Sequence, residues 1–500
     1  MPHYLSAEEL KRTVPADIAP FPSPVPVQIV SNGEFNPLPQ TREQRRLEAR
    51  IKTMADALGP KHGMTRRRFL ASSAGMAAAF LAMNEVFGRV FDVSAAEAAA
   101  PGMADERAKA LAAQFIFDAQ THFVRDDYNV PRLMIFGRYA KQHWNPALVG
   151  EDSLARYKFE NYVKEMFADS DTKIAVLSAA PFDDPNALTL DNDQIARARA
   201  IVNGIAGSRR LLAHAVVTPK RRGWMDEVDR AIAVLKPDSW KGYSVGSPGA
   251  PTKLDSYWWL DDEKLAYPFY EKIVKAGVTT VCIHKGLLPV DYEKSWPGVW
   301  EYATVRDVGK AAKDWPQINF VIYHAALRPF LETPDVALAE FEQTGRIKWA
   351  TDLAEIPAKY GVSNVYAEIG TSFANSAVAN PRFAAAFIGT LVRGMGADHV
   401  VWGTDSVWYG SPQWQIEAMR RLDIPEDMQK KHGFAPLGGA DGLVKTAIFG
   451  GNSARLYGIG VKAAQSDLTR DKIAAIKAEY LATGGLRSNL RYGYVARATT

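Results

Sequence analysis

Eight short apolar runs set the strongest limit on how this chain can fold. They are "FIFDAQTHF" (115–123), "KIAVLSAAP" (173–181), "LLAHAVVTP" (211–219), "WKGYSVG" (240–246), "VTTVCIHKG" (278–286), "INFVIYHAAL" (318–327), "NVYAEIGT" (364–371) and "HVVWGTDS" (399–406). Stretches 191–206, 262–276 and 378–394 between them read as helices. Near-continuous apolar strands alternating with helices require a parallel sheet covered on both faces. Eight such units over roughly 300 residues predict an α/β fold, a (β/α)8 TIM barrel. An open doubly wound sheet is the competing fold, but no Gly-rich phosphate loop follows the first run.

The barrel is expected over 101–460, and the rest of the 500-residue chain flanks it. Residues 1–63 read as an extended arm and a short helix. Prolines at 15, 20, 22, 24, 26, 37 and 39 forbid a helix interior or a central strand there. A helix over 41–58 is capped by Thr41 and stopped by Gly59-Pro60. Residues 461–500 read as a charged helical tail.

Residues 64–100 begin "MTRRRFLASSAGMAAAFLAM" and later carry "SAAEAAAPG" at 94–102. A basic start, an apolar run and small residues in that order describe a secretory signal. "TRRRFL" resembles the twin-arginine motif, read by export machinery that carries folded proteins. The expectation is an exported, periplasmic protein whose mature chain begins near 98–101. The other reading is an Ala-rich helix packed on the body.

Charge and cysteine content exclude other classes. The net charge is +4, and no Lys/Arg stripe interleaved with aromatics occurs outside the N-terminal region, which argues against nucleic-acid binding. The single cysteine, Cys282, excludes internal disulfides and a cysteine-rich metal site.

In such a barrel the chemistry gathers at the C-terminal ends of the strands. Asp118, Gln120 and His122 alternate with Ala119 and Thr121, so the three share one face of the first strand. His284, His324 and Asp405 close three other apolar runs. His214 lies mid-run and reads as a core residue. Imidazole and carboxylate suit one divalent ion, zinc first, with manganese or iron as alternatives. Arg328 could hold a substrate carboxylate bidentately, or else form an ordinary ion pair. Trp408 is an aromatic candidate beside the substrate. Residues 247–264 form a long aromatic stretch that reads as a lid.

The pieces "DAQTHF", "CIHKG", "VIYHAAL", "WGTDSVW" and "GGNSARLYGI" occur in an order that resembles the amidohydrolase superfamily, in its amidohydrolase-related branch of metal-dependent hydrolases and decarboxylases. The resemblance spans residues about 114–460. It implies metal ligands at His122, His284 and Asp405, with Gln120 as a fourth or outer contact. It implies His324 as a base or polarising group, Asp405 as proton carrier, and a homodimer. Gln120 stands where the family mostly has His, so weaker or more selective metal binding is expected. Lys241 lies early in its run, so one metal is expected rather than two. The first functional reading is a metal-dependent hydrolase of a small organic substrate. The alternatives are a decarboxylase of an aromatic or unsaturated acid, and a binding protein whose metal site has decayed.

Overall fold

The computed structural model describes residues 13–15, 23–30, 38–100, 102–127, 157–181, 188–246, 256–288, 292–295, 297–328, 334–485 and 494–496. Eight parallel strands lie in sequence order in one sheet. They are β1 (Phe117–Thr121), β2 (Ile174–Leu177), β3 (Leu211–Val216), β4 (Ser239–Tyr243), β5 (Thr280–His284), β6 (Asn319–Tyr323), β7 (Val365–Glu368) and β8 (Val400–Val401). β8 is only two residues long, yet its continuation closes the barrel on β1. Ala119 N–H reaches Trp402 O at 2.9 Å, Asp405 N–H reaches Gln120 O at 2.9 Å, and His122 N–H reaches Ser406 O at 2.6 Å. The (β/α)8 expectation holds, and the open sheet does not.

Local sequence explains where elements begin and break. Asp191 and Gln194 cap the helix Asn192–Ala206 reciprocally, and αL Gly207 ends it. The helix expected over 378–394 is instead two, Ser372–Ala379 and Pro381–Met395, with Asn380 capping the second and proline at its first position. His214 lies inside the barrel as expected, bonded to Tyr323 OH and Ser239 Oγ, both at 2.8 Å. The tail helices Val461–Leu468 and Lys472–Ala482 pack on the barrel, where Asp471 pairs bidentately with buried Arg210. Of the expected lid, 247–255 fall outside the described residues. Trp258 is core, its indole N–H bonded to Tyr243 O at 3.0 Å.

In the full chain, residues 64–100 pack against the body, with contacts to Leu422 and Arg421. Helices Arg66–Leu70 and Ser73–Phe87 bury Phe69, Leu70, Ala77, Ala78, Ala79, Phe80 and Met83. Helix 73–87 sits so close to the preceding turn that a Cβ on Gly75 would lie 2.1 Å from Phe69 O. Phe91 bridges Leu422 across an antiparallel contact. Glu97 meets Arg421 in a buried bidentate pair at 2.6 and 3.1 Å. Among the described residues no helix is long and apolar enough to cross a membrane. Arg421 keeps Glu417 at 3.4 Å, so Glu97→Ala should destabilise the protein by about 1.5–3 kcal/mol, the cost of losing charge-assisted hydrogen bonds. A denaturant midpoint unchanged from the parent would contradict this packing.

Candidate active site

The strand ends bring the candidate residues together in two neighbouring pairs. β5 and β6 are adjacent, with His284 in register with Tyr323. His324 follows one step on, and its Nε2 lies 3.0 Å from His284 Nδ1. Barrel closure makes β1 and the chain after β8 adjacent too. There His122 Nε2 lies 3.0 Å from Asp405 Oδ1. The Gln120 amide nitrogen is 3.0 Å from the same oxygen and 3.5 Å from His122 Nε2.

Hydrogen bonds to backbone carbonyls fix the tautomers, because a carbonyl only accepts. His122 Nδ1 donates to Ser178 O at 3.0 Å, which directs Nε2 at the Asp405 carboxylate. That contact needs a proton on Nε2 or a cation between the two. His324 Nδ1 donates to Gly370 O at 2.8 Å. Its Nε2 therefore accepts from His284 Nδ1, which leaves the His284 lone pair on Nε2.

Electrostatics follow from depth. Burial would raise the Asp405 carboxyl, but the hydrogen bond and charge of His122, the charge of His324 and the Thr371 hydroxyl hold it at about 2. Burial pushes His324 down to about 4. Burial lifts Glu368 to about 8 against two backbone N–H bonds, and Asp118 to about 7 against bonds from Thr404 and Gln120. Asp405 and His324 both have positive φ, 58° and 63°. Non-glycine residues held there cost about 1–3 kcal/mol each and cluster at functional sites.

A family model described as Amidohydrolase matches residues 117–459. The chain belongs to the amidohydrolase family. Among solved structures, the chain is similar to an uncharacterised TIM-barrel protein from Bordetella bronchiseptica (14% identity, TM-score 0.43, 70% of this chain and 99% of that one), 5-carboxyvanillate decarboxylase from Sphingomonas paucimobilis (16%, 0.40, 69% and 100%), and 2,6-dihydroxybenzoate decarboxylase from Rhizobium (13%, 0.41, 69% and 99%). No curated protein matches the chain.

Amidohydrolases of the branch resembled by sequence use a divalent metal, and the donors here fit one in part. Among the described residues no group of three or more His, Cys, Asp or Glu converges. The Gln120 amide is a further donor beside the His122–Asp405 pair. Gln120 Oε1 is buried without a hydrogen-bond partner, so turning the amide over would present an oxygen to a cation. The mutual separations of 3.0–3.5 Å are those of ligands sharing one ion at about 2.0–2.2 Å. Locking each imidazole through Nδ1 is also how metal-binding histidines are oriented. Lys241 is fully buried, its Nζ 3.5 Å from the Tyr323 ring centroid, within the barrel's stacked side chains.

The other candidates divide. Trp408 does reach the site: its ring stacks on His122 at 5.8 Å. Arg328 is paired bidentately with Glu293, two of its bonds at 2.8 Å, the ordinary ion pair of the two sequence readings. Sequence reasoning missed Thr371, whose hydroxyl donates to Asp405 Oδ2 at 2.6 Å and lies 3.0 Å from Tyr409 OH. A threonine after a strand carries no sequence signal of that role. Thr371→Val should lower kcat/KM about 10–100-fold, the usual cost of losing a support to a ligand. An unchanged steady-state rate would remove Thr371 from the site.

Proposed function

We propose that this amidohydrolase is a metal-assisted hydrolase of a small organic substrate, with the ion held by His122, Asp405 and the Gln120 amide. The observation that carries the reading is the His122–Asp405 contact: an imidazole Nε2 and a carboxylate oxygen at 3.0 Å with the imidazole locked from behind. A bound divalent ion would supply Lewis acidity and a water of lowered pKa. The chain's own residues supply the rest. Asp405, ionised, accepts a proton through Oδ1 while Thr371 holds Oδ2. His284, part-exposed and stacked on Tyr243 at 4.4 Å, presents its Nε2 lone pair. His324 holds His284 in that tautomer from behind.

A cavity beside Tyr243, at the ends of β3 and β4, favours an acidic substrate. It has a volume of about 170 Å³ and is lined by Lys220, Arg221 and Arg222 with Trp258. Cations there suit a carboxylate. The same feature supports a second reading, decarboxylation of an aromatic or unsaturated acid.

Turnover of ester, lactone and aromatic-acid panels in ¹⁸O-water separates the two. Hydrolysis puts one labelled oxygen into the product; decarboxylation releases CO2 and puts none there. Loss of the activity found in both Asp405→Asn and His324→Asn is expected. Full activity in both variants would refute the assignment of the site.

A further inference from the structure

We infer that Glu368 is a positioning residue that sets the orientation and tautomer of His324, an inference that rests on the role proposed for His324 above. Glu368 ends β7 and is fully buried. Its Oε2 accepts the backbone N–H of His324 at 3.1 Å, and its Oε1 accepts that of Gly370 at 2.6 Å. The Gly370 carbonyl in turn accepts the His324 Nδ1 proton at 2.8 Å. Burial pushes this carboxyl up to about 8, but both of its oxygens are taken as acceptors by backbone N–H groups, a geometry that only the ionised group satisfies in full; one carboxylate thus holds both the residue that carries the imidazole and the carbonyl that orients it.

The backbone at His324 needs such a tether. His324, Ala325 and Ala326 have φ of 63°, 46° and 53°, three successive non-glycine residues in the left-handed region. Ser372 Oγ holds the far side, donating to His324 O at 2.7 Å. Room for the carboxylate depends on two glycines from separate loops. A Cβ on Gly403 would come within 1.8 Å of Glu368 Oε1, and one on Gly370 within 2.5 Å.

A residue that merely filled space would tolerate an isosteric amide. Glutamine at 368 instead turns an N–H toward one of the two backbone donors, so one tether is lost. The Gly370 carbonyl or the His324 turn then shifts, and Nδ1 loses its acceptor.

The test is ¹⁵N-histidine NMR on the full chain, with His324 assigned by its absence in His324→Asn. In the parent, His324 should show a protonated Nδ1 that exchanges slowly with solvent. Glu368→Gln should mix the tautomers and speed exchange at least about tenfold. kcat should fall about 10–100-fold with KM within about twofold. Gly403→Ala displaces the same carboxylate without changing it and should move the same signal. A parent His324 protonated on Nε2 overturns the inference whether or not the variants fold. So does an unchanged Nδ1 signal in either folded variant. The NMR readout is independent of turnover. If His324→Asn keeps full activity while Glu368→Gln still shifts the tautomer, the catalytic reading fails and the positioning stands.

Discussion

Replacing Asp405 with Asn is expected to lower kcat/KM by about three orders of magnitude, within the range for losing a proton-transfer group. Asp405 is where the site's interactions meet. Oδ1 faces His122 Nε2 and the Gln120 amide at 3.0 Å each, and Oδ2 receives the Thr371 hydroxyl at 2.6 Å. An asparagine amide can satisfy one side only. Its N–H₂ meets either the Thr371 hydroxyl proton or the Gln120 amide protons. It also removes the one negative charge that compensates whatever cation sits beside His122. Steady-state kinetics and the circular dichroism spectrum measured together check this. A folded variant losing less than about tenfold would mean that Asp405 moves no proton.

Gln120→His is expected to act in the opposite direction on metal affinity. A neutral amide is a weaker donor than imidazole for a borderline ion. Its nitrogen now donates to Asp405 and spends part of that carboxylate's capacity. An imidazole in the same place would free the carboxylate and add a strong ligand, tightening the dissociation constant on the order of 10²-fold. Competition against a calibrated chelator measures it. An affinity equal to the parent's would place Gln120 outside the coordination sphere.

Much of this was legible in the strand runs. Period-2 geometry put Gln120 and His122 on one face, and the barrel brought the four polar strand ends to one mouth. What the sequence hid is how they pair. His284 and His324 end adjacent strands, so register brings them against each other. Asp405 joins Gln120 and His122 only because the chain after the two-residue β8 closes on β1. Ser178 and Gly370 act through backbone carbonyls, which no side chain advertises. The N-terminal segment was ambiguous for a different reason. A basic turn followed by a small, apolar helix fits a leader and a buried helix equally well. In the full chain Phe91 and Glu97 tie the segment to Leu422 and Arg421.

The central claim is that His122 and Asp405 share a cation. Its most direct test is the metal content of protein purified without chelators, alongside His122→Ala and Asp405→Asn. One divalent ion per chain in the parent, lost in both folded variants, is the predicted result. An active parent with no stoichiometric metal, or variants that retain it fully, would contradict the account.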